Sequence, residues 1–159
     1  GFQLPIQGNR VRSRSYNKEF TMDFMQAIED IQKELYSTAN QLKRLNIAPS
    51  SYSASDGTEV SGWLIEYYDY PHVEDIHPGG TPYYRGGSWG NRHTILGEDG
   101  VLYDVIFKGS DTLENDNIVT RTSTTISRTK LSSYVEDSRD PFKELRKMVQ
   151  SAAMRAALD

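Results

Sequence analysis

The sequence predicts an α+β fold, in which a long N-terminal helix and a C-terminal helix pack on the same face of an antiparallel sheet of about four strands. Three patterns support this: heptad-spaced apolar residues over 17–46, β-branched and aromatic runs between turn residues over 59–127, and helical spacing again after Asp140-Pro141. The 159 residues suit one domain. We expect an extended basic arm at 1–16 and a single α+β domain at 17–159.

The N-terminal helix is predicted from a regular apolar seam. Its positions are Phe24, Ile28, Ile31, Leu35, Leu42 and Leu45. Asn46, followed by Pro49, is typical of a helix end. A helix over 17–46 is about 40 Å long, which exceeds the width of a small domain. We therefore expect it either to lie across its own sheet or to meet another helix or subunit.

The strands are predicted at 59–70, 92–96, 101–108 and 117–127, with a connector at 48–58 and an acidic loop at 109–116. Asp99-Gly100 between apolar runs is the strongest local signal and predicts a hairpin, with a bulge at Gly100. The segment 71–91, rich in proline, glycine and aromatic residues, is predicted to be one long loop. The segment 128–139 shows no regular pattern, and Asp140 and Pro141 are expected to open the last helix.

Composition limits the classes of function. The chain has no cysteine, which excludes a disulfide framework and thiolate metal sites. No apolar run is long enough to cross a membrane, and no signal-type segment is visible. We therefore expect a protein of the cytoplasm or of the interior of a virus particle, with no membrane partner, metal or cofactor.

Charge is unevenly distributed along the chain. The net charge of −4 combines +4 over residues 1–18, which contain four basic and no acidic residues, with −8 over the remainder, which contains 14 basic and 22 acidic residues. In an extended arm, Arg10, Arg12 and Arg14 would present guanidinium groups at about 7 Å intervals. We expect them to pair with carboxylates of a protein partner, a second copy or another subunit; nucleic acid is the less favoured alternative.

Aromatic residues of the predicted loop are a second candidate contact surface. Tyr83, Tyr84 and Trp89 are residue types enriched in protein interfaces. The alternative is that such residues simply cover the sheet.

A catalytic alternative begins with the histidines. His77 and His93, with Lys130 and Tyr134, are residue types that could cleave RNA by general acid–base transfer to the 2′-hydroxyl. A metal site at His72, Glu74, Asp75 and His77 is not expected, because these residues lack the i, i+4 helical spacing of hydrolytic zinc sites.

A second catalytic alternative uses Arg85, the Ser123-Thr124-Thr125 run and Glu136. This order of arginine, serine-threonine strand and glutamate resembles the ADP-ribosyltransferases. The resemblance implies that Arg85 and Ser123 would hold NAD and that Glu136 would orient its ribose. Tyr134 stands where that family has a second glutamate.

The patterns together favour a non-catalytic structural protein, a subunit of a larger complex such as a virion head, neck or tail component. Its contacts would be made by the N-terminal arm and the aromatic loop. The rival is a small enzyme acting on NAD or RNA, with Arg85, His93, Ser123 and Glu136 as its site.

Overall fold

The structure is a computed structural model that describes the backbone of residues 9–76 and 82–158 and the side chains of 22–70 and 87–158. Its elements, in chain order, are α1 (Asn9–Arg44), β1 (Ser50–Ser53), β2 (Glu59–Ile76), β3 (Pro82–Gly97), β4 (Leu102–Glu114), β5 (Asn117–Arg128), α2 (Ser132–Glu136) and α3 (Lys143–Leu158). The predicted α+β class is confirmed.

The sheet has five strands, paired antiparallel in the order β1-β2-β3-β4-β5. The predicted number of about four was therefore one too low. The missed strand, β1, lies in the segment 48–58 that was predicted to be a connector, because its four residues are serines and one tyrosine without apolar alternation.

The chain forms two compact units. The first consists of residues 1–34 and 130–140, and the second of residues 35–129 and 141–159. The first unit holds the N-terminal part of α1 together with α2. Within it, the Arg139 guanidinium carbon lies 4.3 Å from the ring centroid of Tyr134, which is 1% exposed. The second unit holds the whole sheet, the C-terminal part of α1 and α3.

Helix α1 begins at Asn9, earlier than the predicted residue 17, and is 36 residues long. The second half of the segment predicted as an extended arm is therefore helical, and residues 1–8 lie outside the described residues. The strand-like spacing expected for Arg10, Arg12 and Arg14 depended on an extended backbone, which a helix does not provide.

The end of α1 agrees closely with prediction. Asn46 adopts the left-handed conformation at φ 57°. The Ile47 amide donates to the Leu42 carbonyl and the Asn46 amide to the Lys43 carbonyl, which is the Schellman pattern of a helix C-terminus.

In the second unit, the C-terminal part of α1 is buried along its apolar seam. Leu35, Ala39 and Leu42 are at most 1% exposed. The Trp63 indole of β2 donates a 2.9 Å hydrogen bond to the Ile47 carbonyl just beyond the helix.

The predicted hairpin at Asp99-Gly100 is confirmed. Leu96 pairs with Leu102, and Gly100 has φ +83°, which favours glycine. The turn also lies against α1, because a Cβ at Gly100 would come 2.8 Å from the Tyr36 Cα.

The predicted loop at 71–91 was wrong, because β2 continues to Ile76 and β3 begins at Pro82. Pro71 lies in the register shift between Tyr70 and Val73 of the β2–β3 ladder, and proline is tolerated at such a bulge. Gly90 is covered by Tyr70, since a Cβ on Gly90 would lie 3.4 Å from the Tyr70 ring. Proline and glycine thus interrupt the sequence pattern without ending the strands.

The predicted acidic loop at 109–116 was also wrong, because β4 runs to Glu114. Asn115 and Asp116, at φ 50° and 64°, form a two-residue turn with Glu114 paired to Asn117. Positive φ at both central residues is typical of the type I′ hairpin turn, which matches the twist of long strands.

The helices after the sheet also differ from the prediction. Helix α2 lies in the segment 128–139, which was predicted to be irregular, and α3 begins at Lys143 rather than at Pro141. Among the described helices, none is long and apolar enough to cross a membrane.

Candidate functional site

The two faces of the sheet are defined by its register. His93 pairs with Tyr67 and Val105, and these residues share one face, which we name the His93 face. Lys108 pairs with Gly90 and Ser123, and these share the other, which we name the Lys108 face. Both faces are buried near the β3–β4 turn, where Ile95 on one side and Leu96 on the other are 0% exposed.

A groove lies on the Lys108 face, toward the ends of the strands farthest from that turn. Two cross-strand rows form it, Tyr70–Gly90–Lys108–Ser123 and Ser88–Ser110–Arg121. Its volume is about 630 Å³, and its lining includes the intervening row Trp89–Gly109–Thr122, whose side chains belong to the His93 face. Because Gly90 has no side chain, the Tyr70 ring can lie across β3 as part of the wall.

A charged cluster occupies one end of the groove. Arg121 Nη1 lies 2.7 Å from Glu114 Oε2, and the Thr112 hydroxyl donates to the same oxygen at 2.7 Å. The Arg121 hydrogen bond, followed by that of Thr112, lowers the pKa of Glu114 to about 2. The same hydrogen bond raises the pKa of Arg121, so both groups are charged over the physiological range.

Lys108 differs from Arg121 in having no carboxylate within ion-pair distance among the described side chains. It is exposed, and it lies between the glycine of β3 and the hydroxyl of Ser123. The groove therefore offers an ammonium group, several hydroxyls and an aromatic ring. That set can bind a carboxylate or a polar backbone segment.

The described side chains that line the groove include no histidine and no carboxylate, so none of them would take a proton from Ser123. Ser123 was one of the residues predicted for an NAD-binding site, and Trp89 one of those predicted for partner contacts; both border the groove, but their side chains belong to opposite faces of the sheet.

An aromatic cluster occupies the His93 face. The His93 ring lies 4.7 Å from that of Tyr67 and 5.8 Å from that of Tyr52, measured between centroids. The Tyr67 hydroxyl donates to Asp69 Oδ1 at 2.5 Å, and this hydrogen bond raises the pKa of Tyr67. Since Tyr52 and His93 belong to strands on either side of β2, their contact indicates that the sheet curves toward this face.

His93 and Ser123 do not form a common site. Gly90, which is on the same face as Ser123, is three residues from His93, so the two side chains point to opposite faces of the sheet. His93 therefore cannot act as the base for Ser123 in this arrangement.

The other residues predicted for catalysis are distributed as follows. Lys130, Tyr134 and Glu136 belong to the first unit, whereas His93 and Ser123 belong to the second. Tyr134 is buried, and Glu136 is exposed at the end of α2. The resemblance to ADP-ribosyltransferases stays a prediction.

Several predicted residues lie where side chains are outside the described part. Arg85, Tyr83 and Tyr84 fall on β3 rather than on a loop, and His77 lies outside the described residues. His72, Glu74 and Asp75 fall on β2, and Arg10, Arg12 and Arg14 on α1, again without described side chains. The described residues contain no group of three or more metal-ligating side chains.

The edges of the sheet are a further candidate surface. β1 pairs only with Glu59–Gly62 of β2, so the described strand ladder on that side of β2 ends at Gly62. At the other edge, Ser55 and Thr124 exchange two hydrogen bonds of 2.9 Å each, so the curled sheet returns on itself at one point.

Sequence reasoning missed Lys108, Arg121 and Ser110. The available signal was the two-residue spacing of Lys108 and Ser110 in one strand and of Arg121 and Ser123 in the next, which places each pair on one face. Alternation shows that each pair shares a face, but it does not show that the two strands are neighbours.

No family model, curated protein or solved structure matches this chain.

Proposed function

We propose that the protein is a non-catalytic assembly subunit, which joins copies of itself or other subunits into a larger complex such as a virion head, neck or tail. The observation that carries the proposal is the length of β2 that continues beyond its ladder with β1. An unpaired strand edge presents rows of backbone N–H and C=O groups, and another chain can add a strand to it.

The length of this edge makes it suitable for such a contact. β2 has 18 residues, whereas β1 has four and pairs with only the first few of them. Edges are usually kept short or blocked by charges and bulges in proteins that stay monomeric. Here the bulges lie at Leu64/Glu66, Tyr70/Val73 and Glu74/Ile76, and the stretches between them remain regular.

Exposed aromatic residues on the same strand support a protein partner. Tyr67 and Tyr68 are 50% and 48% exposed, and the Arg92 guanidinium lies 5.7 Å from the Tyr68 ring centroid. Tyrosine and arginine are the side chains most enriched at the centres of interfaces. The groove on the Lys108 face, which joins this strand through Tyr70, would receive polar groups of the same partner.

The chemistry of the described side chains also supports a non-catalytic function. The hydroxyl-rich groove lacks a base, and His93 faces the other side of the sheet. A nucleophile within hydrogen-bond reach of a base is the minimum for the acyl- or phosphoryl-transfer chemistry that Ser123 could perform.

The test compares the mass of the protein in solution before and after a charge is placed on this edge. Tyr68→Glu adds a carboxylate beside Arg92, so it can retain a local partner while it opposes strand addition. We expect sedimentation velocity to show a concentration-dependent oligomer for the wild type and a smaller species for Tyr68→Glu. Met154→Glu on α3, at a position 63% exposed, is the matched control and should keep the wild-type mass.

Two results would contradict the proposal. One is a wild-type protein that stays monomeric at its highest soluble concentration, alone and with the other components of its native complex. The other is an equal loss of mass in Tyr68→Glu and Met154→Glu, which would show that the edge has no special part in assembly. Far-UV circular dichroism on each variant confirms that the fold is retained.

A further inference from the structure

We propose that the N-terminal part of α1, residues 9–34, pairs in antiparallel orientation with the same segment of a second copy about a two-fold axis. The inference deepens the proposed assembly function and rests on it, because it names a partner for a surface other than the sheet edge.

The first observation is the arrangement of charge along this segment. Residues 9–18 carry +4, from four basic residues and no acidic one, and residues 19–34 carry −4, from five acidic residues and one lysine. The basic block consists of Arg10, Arg12, Arg14 and Lys18, and the acidic residues are Glu19, Asp23, Glu29, Asp30 and Glu34. Both blocks belong to helix α1, in which the acidic block follows the basic one.

The second observation is an apolar stripe that is incompletely covered. Phe24, Ala27, Ile28 and Ile31 recur at helical spacing and are only partly buried, although the same seam farther along is fully buried at Leu35 and Leu42. Beside the stripe, Met22 and Met25 are 63% and 62% exposed. Exposed methionines next to a half-covered stripe are typical of a helix that receives another helix.

The charge blocks select both the partner and its direction. An antiparallel second copy places the +4 of residues 9–18 against the −2 of residues 25–34 at both ends of the contact, whereas a parallel copy places like charges side by side. A two-fold contact of this kind is isologous and closes with two chains. The paired segment would be about 39 Å long, and Met22 would lie near its centre.

The experiment reverses each block in turn and then mixes the products. Arg10→Glu/Arg12→Glu/Arg14→Glu changes the basic block from +4 to −2, since each reversal changes the charge by two. Glu29→Lys/Asp30→Lys/Glu34→Lys changes the acidic block from −4 to +2. Each variant alone would place like charges together, and we expect its dimer dissociation constant to rise about a hundredfold or more.

Mixing the two triple variants should restore pairing, because residues 9–18 and 25–34 each carry −2 in the first variant and +4 in the second, so −2 meets +4 at both ends. Sedimentation equilibrium on each variant and on an equimolar mixture measures this. Far-UV circular dichroism of the mixture checks that both chains are helical. Recovery in the mixture cannot arise from a variant that has failed to fold.

A cysteine experiment tests the direction independently, because the natural chain has no cysteine. Under mild oxidation, Met22→Cys near the centre of the contact should form a disulfide-linked dimer rapidly. Glu34→Cys near its end should not, because antiparallel pairing separates the two copies of that position by most of the contact length. Equal cross-linking of both variants would indicate a parallel contact and overturn the inference.

The outcomes separate this inference from the proposed function. If the wild type is oligomeric and either triple variant keeps its full mass, or the mixture fails to recover, the helix pairing is wrong while the assembly function stands. If the wild type is monomeric under every condition, the assembly function fails and the pairing fails with it.

Discussion

The close approach of the β3–β4 turn to helix α1 leads to a quantitative prediction at Gly100. Gly100→Ala adds a methyl group at a φ of +83°, and the left-handed region costs an L-residue about 1–2 kcal/mol. The new Cβ would lie 2.8 Å from the Tyr36 Cα and 3.0 Å from its Cδ1. Because the first of these atoms is helix backbone, relief requires a shift of α1 or of the turn, and such overpacking costs about 1–3 kcal/mol.

Gly57→Ala is the matched control for this substitution. Gly57 has φ +92°, but a Cβ there would have nothing within 4 Å. It therefore carries the backbone cost alone. Both variants lose the same glycine entropy in the unfolded chain, so that contribution cancels between them. We expect the free energy of unfolding to fall by about 2–5 kcal/mol for Gly100→Ala and about 1–2 kcal/mol for Gly57→Ala.

Urea denaturation followed by circular dichroism measures both values, and unchanged m-values show that the comparison is valid. Equal losses in the two variants would refute the reasoning, because the difference between them measures the contact of α1 with the turn. A larger loss for Gly57→Ala would refute it more strongly.

Three further predictions concern the interior and the charged cluster. Leu42→Ala, at a residue 0% exposed, should lower the free energy of unfolding by about 2–5 kcal/mol, and Lys43→Ala on the exposed side of α1 is its control in the same urea titration. Trp63→Phe should cost about 1–2 kcal/mol beyond the lost ring area, because it leaves the Ile47 carbonyl without the indole donor; thermal unfolding that matches the wild type would contradict this. Since the pKa of Glu114 is lowered from 4.5 to about 2, its contribution to stability is present above pH 4.5 and is lost as the pH falls toward 2. Glu114→Gln should remove this small pH dependence between those values, and an unchanged acid titration of stability would show that the ion pair with Arg121 contributes nothing.

Where local chemistry determines the conformation, the sequence was a sufficient guide. Asp99-Gly100 predicted the hairpin because a positive φ at Gly100 is a property of one residue and its turn. Asn46 followed by Pro49 predicted the end of α1 for the same reason. The heptad seam predicted the burial of Leu35 and Leu42, which is again a local periodicity.

The strand ends could not be predicted in the same way. Pro71 and the glycines near it interrupt any local strand pattern, but their effect depends on neighbours in other strands. Pro71 is tolerated because it falls in the register shift between Tyr70 and Val73, and Gly109 is covered by the Trp89 ring, which a Cβ there would meet. Pairing of this kind is a property of the assembled sheet.

The candidate site shows the same limit. Trp89 and Ser123 were selected from residue type, and both line the groove. Lys108 and Arg121 were not selected, because their value as site residues comes from a cross-strand register that joins them to Ser88 and Gly90. His93 was selected as a base, yet strand alternation directs it to the opposite face, a consequence that follows only from knowing which strands are neighbours.

The hydrogen-bonded pair of Ser55 and Thr124 has a consequence for how the protein responds to strain. Its two hydrogen bonds join the turn after β1 to β5. Separating them exposes little apolar surface, so the free energy of this opening is far below that of global unfolding. These two hydrogen bonds can therefore break while the ladders between the paired strands stay intact. Amide exchange at Thr124 should accordingly be faster than at Val105, in the middle of the sheet.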